Sequence, residues 1–176
     1  MELRTDRIVG RAALAASVAL ALLLVGTIAW ITASVRGWLP SSRAPYVVGE
    51  LIDVPAAVYR QTPFTIVLFA RSNCGACESA VPFHQSLVTL VAGRPNARMV
   101  LVSPIADRAR EVTYAGTLGL ADAAVIPWPT PAPRVRAAPT LVVVNDRGVI
   151  LAVWEGAGTE DEQRERMKRI GELLGH

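Results

Sequence analysis

Residues Phe64–Cys77 read FTIVLFARSNCGAC and give the clearest structural signal in the chain. The run Phe64–Ala70 is continuously apolar, with β-branched and aromatic residues, which is typical of a strand buried on both faces. A helical stretch follows, and Ser72 or Asn73 is predicted as its N-cap. Because Pro82 falls inside that stretch, we expect the helix to be kinked there.

Strands and helices alternate along the rest of the chain. Short β-branched runs predict strands, and capped or amphipathic stretches predict helices. The predicted strands are Arg98–Ser103, Thr140–Asn145 and Val149–Glu155, and the predicted helices are Asp107–Gly116 and a terminal helix from Glu160. This order predicts an α/β fold with parallel strands inside the sheet and an antiparallel edge.

Two further segments lack such a pattern. Tyr46–Val54 contains apolar residues interrupted by Gly49 and Glu50, which favours an outer strand or a hairpin. Every second residue from 127 to 133 is a proline, and Trp128 lies among them. Because proline disrupts both helices and central strands, we expect a loop there.

The two cysteines of the chain, Cys74 and Cys77, both lie in the turn between the first strand and its helix. A count of two excludes a multi-disulfide scaffold and a four-cysteine zinc site. Their spacing on a first helical turn brings the sulfurs within disulfide reach, so C-x-x-C in this setting predicts redox chemistry. The helix N-terminus favours a thiolate on Cys74, which would attack, and Cys77 would resolve the mixed disulfide.

Three other interpretations of this pair stay open. A structural disulfide is the first, although a loop this short constrains the unfolded chain very little. A metallochaperone would bind Cu(I) through Cys74 and Cys77 with a third ligand such as His84, but we expect His84 to face solvent. A redox-inactive binding domain would make both cysteines incidental. We favour redox chemistry, with no metal and no cofactor beyond the two cysteines.

The composition of the 176 residues, 52% hydrophobic and 19% charged, excludes a mainly disordered chain. Lys and Arg number 18 and Asp and Glu 15, so the net charge is 18 − 15 = +3, and no nucleic-acid partner is expected. The apolar excess is concentrated in Ala12–Val35, which contains no charged residue. A helix of that length spans the roughly 30 Å of hydrocarbon in a bilayer.

The predicted organisation is therefore a cytoplasmic segment 1–11, a transmembrane anchor 12–35, a linker 36–45 and one domain 46–176. Three arginines precede the anchor, which favours a cytoplasmic N-terminus and an extracytoplasmic, periplasmic domain. A cleaved signal peptide is the alternative, but the apolar stretch is longer than such peptides carry. The expected location is the cell membrane, crossed once.

Together these motifs resemble the thioredoxin superfamily over most of Phe64–Leu174. FTIVLFARSNCGAC followed by Pro82 looks like that family's strand, active-site turn and kinked helix. VRAAPTL at residues 135–141 looks like the family's cis-proline loop, and the hairpin with its closing glycine follows it. The resemblance implies a thioredoxin-like fold, a central mixed sheet flanked by helices.

The resemblance also implies roles for individual residues. Cys74, Cys77 and a cis Pro139 facing them would be the catalytic residues. Ala138 would offer its backbone groups to an extended substrate, and the other implied substrate-binding residues surround the cysteines: Asn73, Gly75 and Ala76.

The extra strand and helix at about 98–119, together with the anchor, is similar to the TlpA/ResA-like branch of that superfamily. This similarity implies a membrane-anchored, extracytoplasmic thiol–disulfide oxidoreductase, and several members of the branch reduce apocytochrome c before haem attachment. Its partners would be protein thiols and disulfides and a membrane or extracytoplasmic electron donor. Because no histidine separates the two cysteines, we favour a reductase or isomerase of protein disulfides over an oxidant.

The chain departs from the family at two positions near the cysteines. Asn73 stands where tryptophan is common, and Leu68 stands where the family has a buried Asp or Asn. The usual proton acceptor for the Cys77 thiol is therefore missing. Glu78 and Asp107 are candidates for that role because they lie close in sequence. The proline-rich loop also replaces a helix that usually precedes the cis-proline.

Overall fold

The computed structural model describes residues 20–28, 44–104, 107–129 and 132–175. The chain divides into two units, Met1–Leu39 and Pro40–His176. In the first unit residues 20–28 are helical and exposed. The rest of the expected anchor, the cytoplasmic segment and most of the linker lie outside the described residues. Among the residues that the structure describes, no helix has both the length and the apolar character needed to cross a bilayer.

The second unit contains a five-stranded mixed sheet. Its strands are β1 Phe64–Phe69, β2 Ala97–Ser103, β3 Val125–Pro127, β4 Thr140–Asn145 and β5 Ile150–Glu155. They lie in the order β3-β2-β1-β4-β5. The pairs β1–β2 and β2–β3 are parallel, and β1–β4 and β4–β5 are antiparallel. The predicted α/β fold with a parallel interior and an antiparallel edge is therefore confirmed.

The described part of this unit also contains four α-helices: α1 Gly75–Ser79, α2 Val81–Ala92, α3 Arg108–Leu118 and α4 Glu160–Leu174. The predicted kinked helix is in fact two helices, which meet at Ala80. Pro82 lies in the first turn of α2, where its missing N–H has no partner to lose. A capping box of Thr159 and Glu162 starts α4.

One face of the sheet packs against the helices, and we call it the helical face. Its strand residues include Ile66, Leu68 and Leu101, alternate positions that point to the same side. Apolar residues of α2, α3 and α4 complete this cluster, among them Phe83, Leu87, Tyr114, Leu118, Ile170 and Leu174.

The opposite face, which we call the loop-covered face, is built differently. Its strand residues include Val67 and Phe69, and its cover comes from residues 46–59 and from Trp128 and Val135. Among the described residues no α-helix contributes to this cluster. The sheet is thus flanked by α-helices on one side and by irregular chain on the other.

The prediction of an outer strand or hairpin at Tyr46–Val54 is wrong. This segment forms no continuous strand, and it meets the sheet through an isolated bridge between Leu51 and Val149 and the backbone bonds beside it. Gly49 adopts a left-handed φ of 94°, which turns the chain, and its N–H donates to the carbonyl of Ile150 at 2.8 Å. The turn replaces a continuous ladder and sends Tyr46 across the face of the sheet.

An aromatic cluster holds the irregular cover in place. Tyr46 stacks on Phe69 at 5.7 Å between ring centroids, and Trp128 meets Phe69 edge-on at 6.0 Å. The Arg134 guanidinium lies 5.0 Å from the Tyr46 ring centroid and pairs with Glu50 at 2.8 Å. The segment that begins the domain is thereby fastened to the proline-rich loop.

Candidate active site

The cysteine turn lies at the carboxyl end of β1, where parallel strands present their sites. Cys74 and Cys77 form a disulfide, with their Cα atoms 5.1 Å apart. The N-cap of α1 is Cys74 itself, not Ser72 or Asn73 as predicted, and the Cys77 N–H points at its Sγ from 3.3 Å. Asn73 adopts a left-handed φ of 61°, so the chain is still turning at this residue and the helix starts one residue later.

The two sulfurs have different environments. Cys74 is 9% exposed and Cys77 is fully buried. A protein substrate can therefore reach only Cys74, which fits its predicted role as the attacking thiolate. Cys77 follows Cys74 by three residues, a little less than one helical turn, and so takes the position of a resolving thiol.

The predicted substrate-binding residues surround this opening. Asn73, Gly75 and Ala76 are exposed beside Cys74. The Ala138–Pro139 peptide bond is cis, as the resemblance implies. The carbonyl oxygen of Ala138 lies 3.6 Å from the Sγ of Cys74, so two residues 64 positions apart in the sequence are in contact here.

The loop that carries Pro139 is held by hydrogen bonds on both sides. The Thr140 hydroxyl donates to the Ala137 carbonyl at 2.6 Å. The Gly156 N–H donates to the Pro139 carbonyl at 2.7 Å. In addition, the buried Arg166 donates from Nη1 to the Gly156 carbonyl at 2.8 Å. The Pro139 loop is thus supported by the end of β5 and by α4.

Glu111 is the buried carboxylate beside the cysteine turn, and none of the predictions made from the sequence includes it. Its side chain is 5% exposed and accepts hydrogen bonds from the Ser72 N–H at 3.0 Å and from the Ser72 and Ser103 hydroxyls at 2.6 Å each. Glu111 shares a helical face with Tyr114, Ala115 and Leu118. A single acidic residue within that apolar stripe was the signal available in the sequence.

The two acidic residues predicted as candidates for the Cys77 proton have different surroundings. Asp107 is the N-cap of α3 and accepts from the Arg110 N–H at 3.2 Å. Glu78 is exposed on α1. Leu68 is fully buried in the core of the helical face, as its position in the strand predicts.

Tyr114 contacts the second cysteine from the same helix as Glu111. Its hydroxyl donates to the Cys77 carbonyl at 3.3 Å. Burial raises the pKa of Tyr114 to about 12, and the negative charges of Glu111 and Glu78 act in the same direction. The phenol therefore stays protonated and remains a hydrogen-bond donor at neutral pH.

The expectation that His84 faces solvent is wrong. Its side chain is 2% exposed, and its Nδ1 has no hydrogen-bond partner among the described residues. Burial lowers the pKa of His84 to about 4, and the positive charge of Arg166 contributes to the same effect. The break at Ala80 starts a new helix, so the orientation of His84 does not follow from a continuous helix through Cys77.

No metal centre is evident in the described part of the chain. Groups of three or more His, Cys, Asp and Glu side chains arranged to hold an ion are absent from these residues.

No protein-family model matches the sequence, and no curated protein matches it either. Solved structures match by shape. A protein described as thiol:disulfide interchange protein DsbE from Chlorobium tepidum is 18% identical, with a TM-score of 0.54 over 65% of this chain and 82% of that chain. A protein described as a protein disulfide isomerase from Bacteroides thetaiotaomicron is 15% identical, with a TM-score of 0.52 over 78% and 91%.

A thioredoxin-like protein from Parabacteroides distasonis is 17% identical, with a TM-score of 0.50 over 73% of this chain and 95% of that chain. These likenesses concern the fold alone. The predicted enzyme class, a thiol–disulfide oxidoreductase, is consistent with this fold and with a redox-type cysteine pair. The chain therefore has the thioredoxin-like fold, as its resemblance to the thioredoxin superfamily implied.

Proposed function

We propose that this protein is a membrane-anchored thiol–disulfide oxidoreductase whose domain acts outside the cytoplasm on protein disulfides. One observation carries the activity: the disulfide of Cys74 and Cys77 lies at a helix N-terminus, with Cys74 the more exposed of the two cysteines and the Ala138 carbonyl beside it. The anchor and the location rest on the apolar segment Ala12–Val35 and its flanking arginines.

The reaction starts from the reduced protein. The Cys74 thiolate attacks one sulfur of a substrate disulfide, a mixed disulfide forms and the other substrate sulfur leaves as a thiolate. Cys77 then loses its proton and attacks the Sγ of Cys74. The new Cys74–Cys77 bond releases the second substrate sulfur, so the substrate gains two electrons and two protons and the protein is oxidised. An electron donor of the dithiol class returns it to the reduced state.

The Pro139 loop would align the substrate for this attack. Ala138, whose carbonyl lies against Cys74, is only partly buried, so an extended peptide would pair with this residue while its disulfide faces the sulfur. Asn73, Gly75 and Ala76 would form the opposite wall, and their small or polar side chains leave room for varied sequences.

We further propose reduction or isomerisation as the direction, with the cysteines of apocytochrome c as one substrate class. The support is the resemblance to the TlpA/ResA-like branch and the absence of a histidine between the two cysteines. A histidine there would favour the thiolate and a stronger oxidant.

Trapping tests the activity. The full chain carrying Cys77→Ala is expected to accumulate mixed disulfides that appear on non-reducing gels, because Cys74 can attack but nothing resolves the product. Cys74→Ala is the matched control and should trap nothing. If neither variant traps a partner and the wild type binds one equivalent of Cu(I), the copper-binding alternative replaces the oxidoreductase.

Topology is tested separately. A fusion of alkaline phosphatase after the last residue should be active, since this enzyme folds only outside the cytoplasm, and a β-galactosidase fusion should be inactive. Membranes washed with carbonate should retain the full-length chain. A shortened chain in the soluble periplasmic fraction would instead indicate a cleaved signal peptide.

A further inference from the structure

Helix α3 contacts the cysteine turn on both sides of Cys74. On the amino side, Glu111 accepts hydrogen bonds from the N–H and the hydroxyl of Ser72. On the carboxyl side, Tyr114 donates to the Cys77 carbonyl. These two residues lie one turn apart on α3, so a single rigid element fixes both ends of the turn.

The buried Glu111 carboxylate accepts hydrogen bonds from three donors. Its hydrogen bonds come from one backbone N–H and two serine hydroxyls, and the second hydroxyl belongs to Ser103, the last residue of β2. Burying a carboxylate is costly unless such donors compensate it. All three donors are neutral, and the guanidinium of Arg71 interacts electrostatically with the carboxylate.

The negative charge of Glu111 lies close to Cys74. Ser72 precedes Cys74 by two residues, so their Cα atoms are at most about 7 Å apart. Arg71 and Tyr114 interact electrostatically with Glu111, and Glu78 acts on Tyr114. Burial lowers the pKa of the Arg71 guanidinium, and the charge of Glu111 acts against that change. Glu78 adds a second negative charge on the exposed side.

We propose that Glu111 is a positioning residue for the dithiol: it fixes the Ser72–Asn73 turn, and its buried negative charge disfavours the thiolate of Cys74. A less stable thiolate destabilises the reduced protein relative to its disulfide, so the dithiol becomes a better donor of electrons. This inference rests on the proposed function and strengthens its reductive direction.

The test compares the reduced wild type with the variant Glu111→Gln. A glutamine can accept from the Ser72 N–H through its oxygen and donate to a serine hydroxyl through its amide, so the geometry is kept and the charge is lost. The pH dependence of Cys74 alkylation by iodoacetamide gives its pKa. We expect this pKa to fall by about 0.5 or more. At a fixed pH below the pKa, the fraction of thiolate then rises roughly threefold.

Two matched variants separate charge from structure. Glu165→Gln removes one negative charge from an exposed position of α4 and should leave the Cys74 pKa unchanged. Ser103→Ala removes the hydrogen bond that Glu111 accepts from β2, which does not involve the cysteine turn. This variant should have a lower melting temperature without the same shift in the Cys74 pKa. If Glu111→Gln has a wild-type Cys74 pKa, the proposal is wrong and Glu111 serves the fold alone.

A second comparison covers the case in which Glu111→Gln does not fold. Ser72→Ala and Ser103→Ala each remove one hydroxyl from the carboxylate, but only Ser72 belongs to the turn before Cys74. Ser72→Ala should change the alkylation rate of Cys74 more than Ser103→Ala does, and equal rates would overturn the proposal. Reduction of insulin disulfides by the wild type tests the proposed function independently, since the Cys74 pKa is measurable in a protein that fails that assay.

Discussion

The two faces of the sheet bury their strand residues equally well but are covered in different ways. Three helices cover the helical face, and irregular chain held by Tyr46, Trp128 and Arg134 covers the other. Residues such as Ile66 and Val67, adjacent in β1 and on opposite faces, are both fully buried. An α/β core therefore does not need helices on both sides when aromatic rings supply the area and the loop backbone finds partners.

The two covers also serve the active site differently. The helical face supplies Glu111 and Tyr114, which hold the cysteine turn. The loop-covered face supplies Trp128 and Val135, which belong to the chain that leads to Pro139. One face thus supports the cysteine turn, and the other anchors the chain that leads to the Pro139 loop.

The strongest test of this comparison removes the ring at the centre of the loop-covered face. Phe69→Ala deletes the fully buried ring that both Tyr46 and Trp128 contact. We expect the free energy of unfolding in urea to fall by about 3–5 kcal/mol, because a cavity replaces the ring. Leu87→Ala on the helical face is the matched change and should cost about 2–5 kcal/mol. A loss below about 1 kcal/mol for Phe69→Ala would mean that the irregular cover collapses freely and is not a specific core.

The next test uses pH and concerns the helical face. The pKa of His84 is lowered from 6.5 to about 4 by burial and then by Arg166, so the unfolded chain binds a proton between these values while the folded protein does not. The contribution of His84 to the free energy of unfolding is therefore fully present above pH 6.5 and is lost as the pH falls towards 4. Through His84 alone, unfolding should cost about 2 kcal/mol less at pH ~5 than at pH ~7.5.

His84→Leu supplies the control for the pH test. A leucine removes the titrating ring and the unpartnered Nδ1, so the variant should show a smaller loss of stability over the same pH range. Urea unfolding of both proteins at each pH gives the difference. Equal losses in the two proteins would assign the pH dependence to carboxylates and would contradict a neutral, buried His84.

The smallest expected effect on the free energy of unfolding comes from removing a single hydroxyl, that of Tyr46. Tyr46→Phe keeps the ring on Phe69 but deletes the hydroxyl that donates to Asp53. Burial, and then Asp53, raises the pKa of Tyr46, so the hydroxyl is a donor throughout the working pH range. We expect a loss of about 1–2 kcal/mol in the free energy of unfolding. Tyr59→Phe, which lies at the edge of the same cluster, is the comparison and should cost less.

The elements encoded in contiguous residues could be predicted. The strands β1, β2 and β4 are short apolar runs, the cysteine turn follows β1 directly, and the proline before β4 stands next to its strand. Each of these signals lies within a few residues of chain. The parallel interior and the antiparallel edge then follow from the general rules for α/β folds.

Long-range contacts could not be predicted in this way. Glu111 is separated from Ser72 by 39 residues, and their contact depends on the rotation of α3 about its axis. His84 was predicted incorrectly because the break at Ala80 sets the direction of α2 independently of α1. Tyr46–Val54 has apolar residues that suit a strand, but its partner is an aromatic cluster assembled from three distant parts of the chain.

The turn at Gly49 has a consequence for how the domain meets other polypeptides. The backbone of Gly49 and Glu50 bonds with Ile150, so the outer edge of β5 is already occupied where the strand begins. The opposite edge strand, β3, has three residues and ends in Pro127, which lacks an N–H. Both sheet edges thus resist the addition of a further strand, which lowers the tendency of the domain to associate edge to edge.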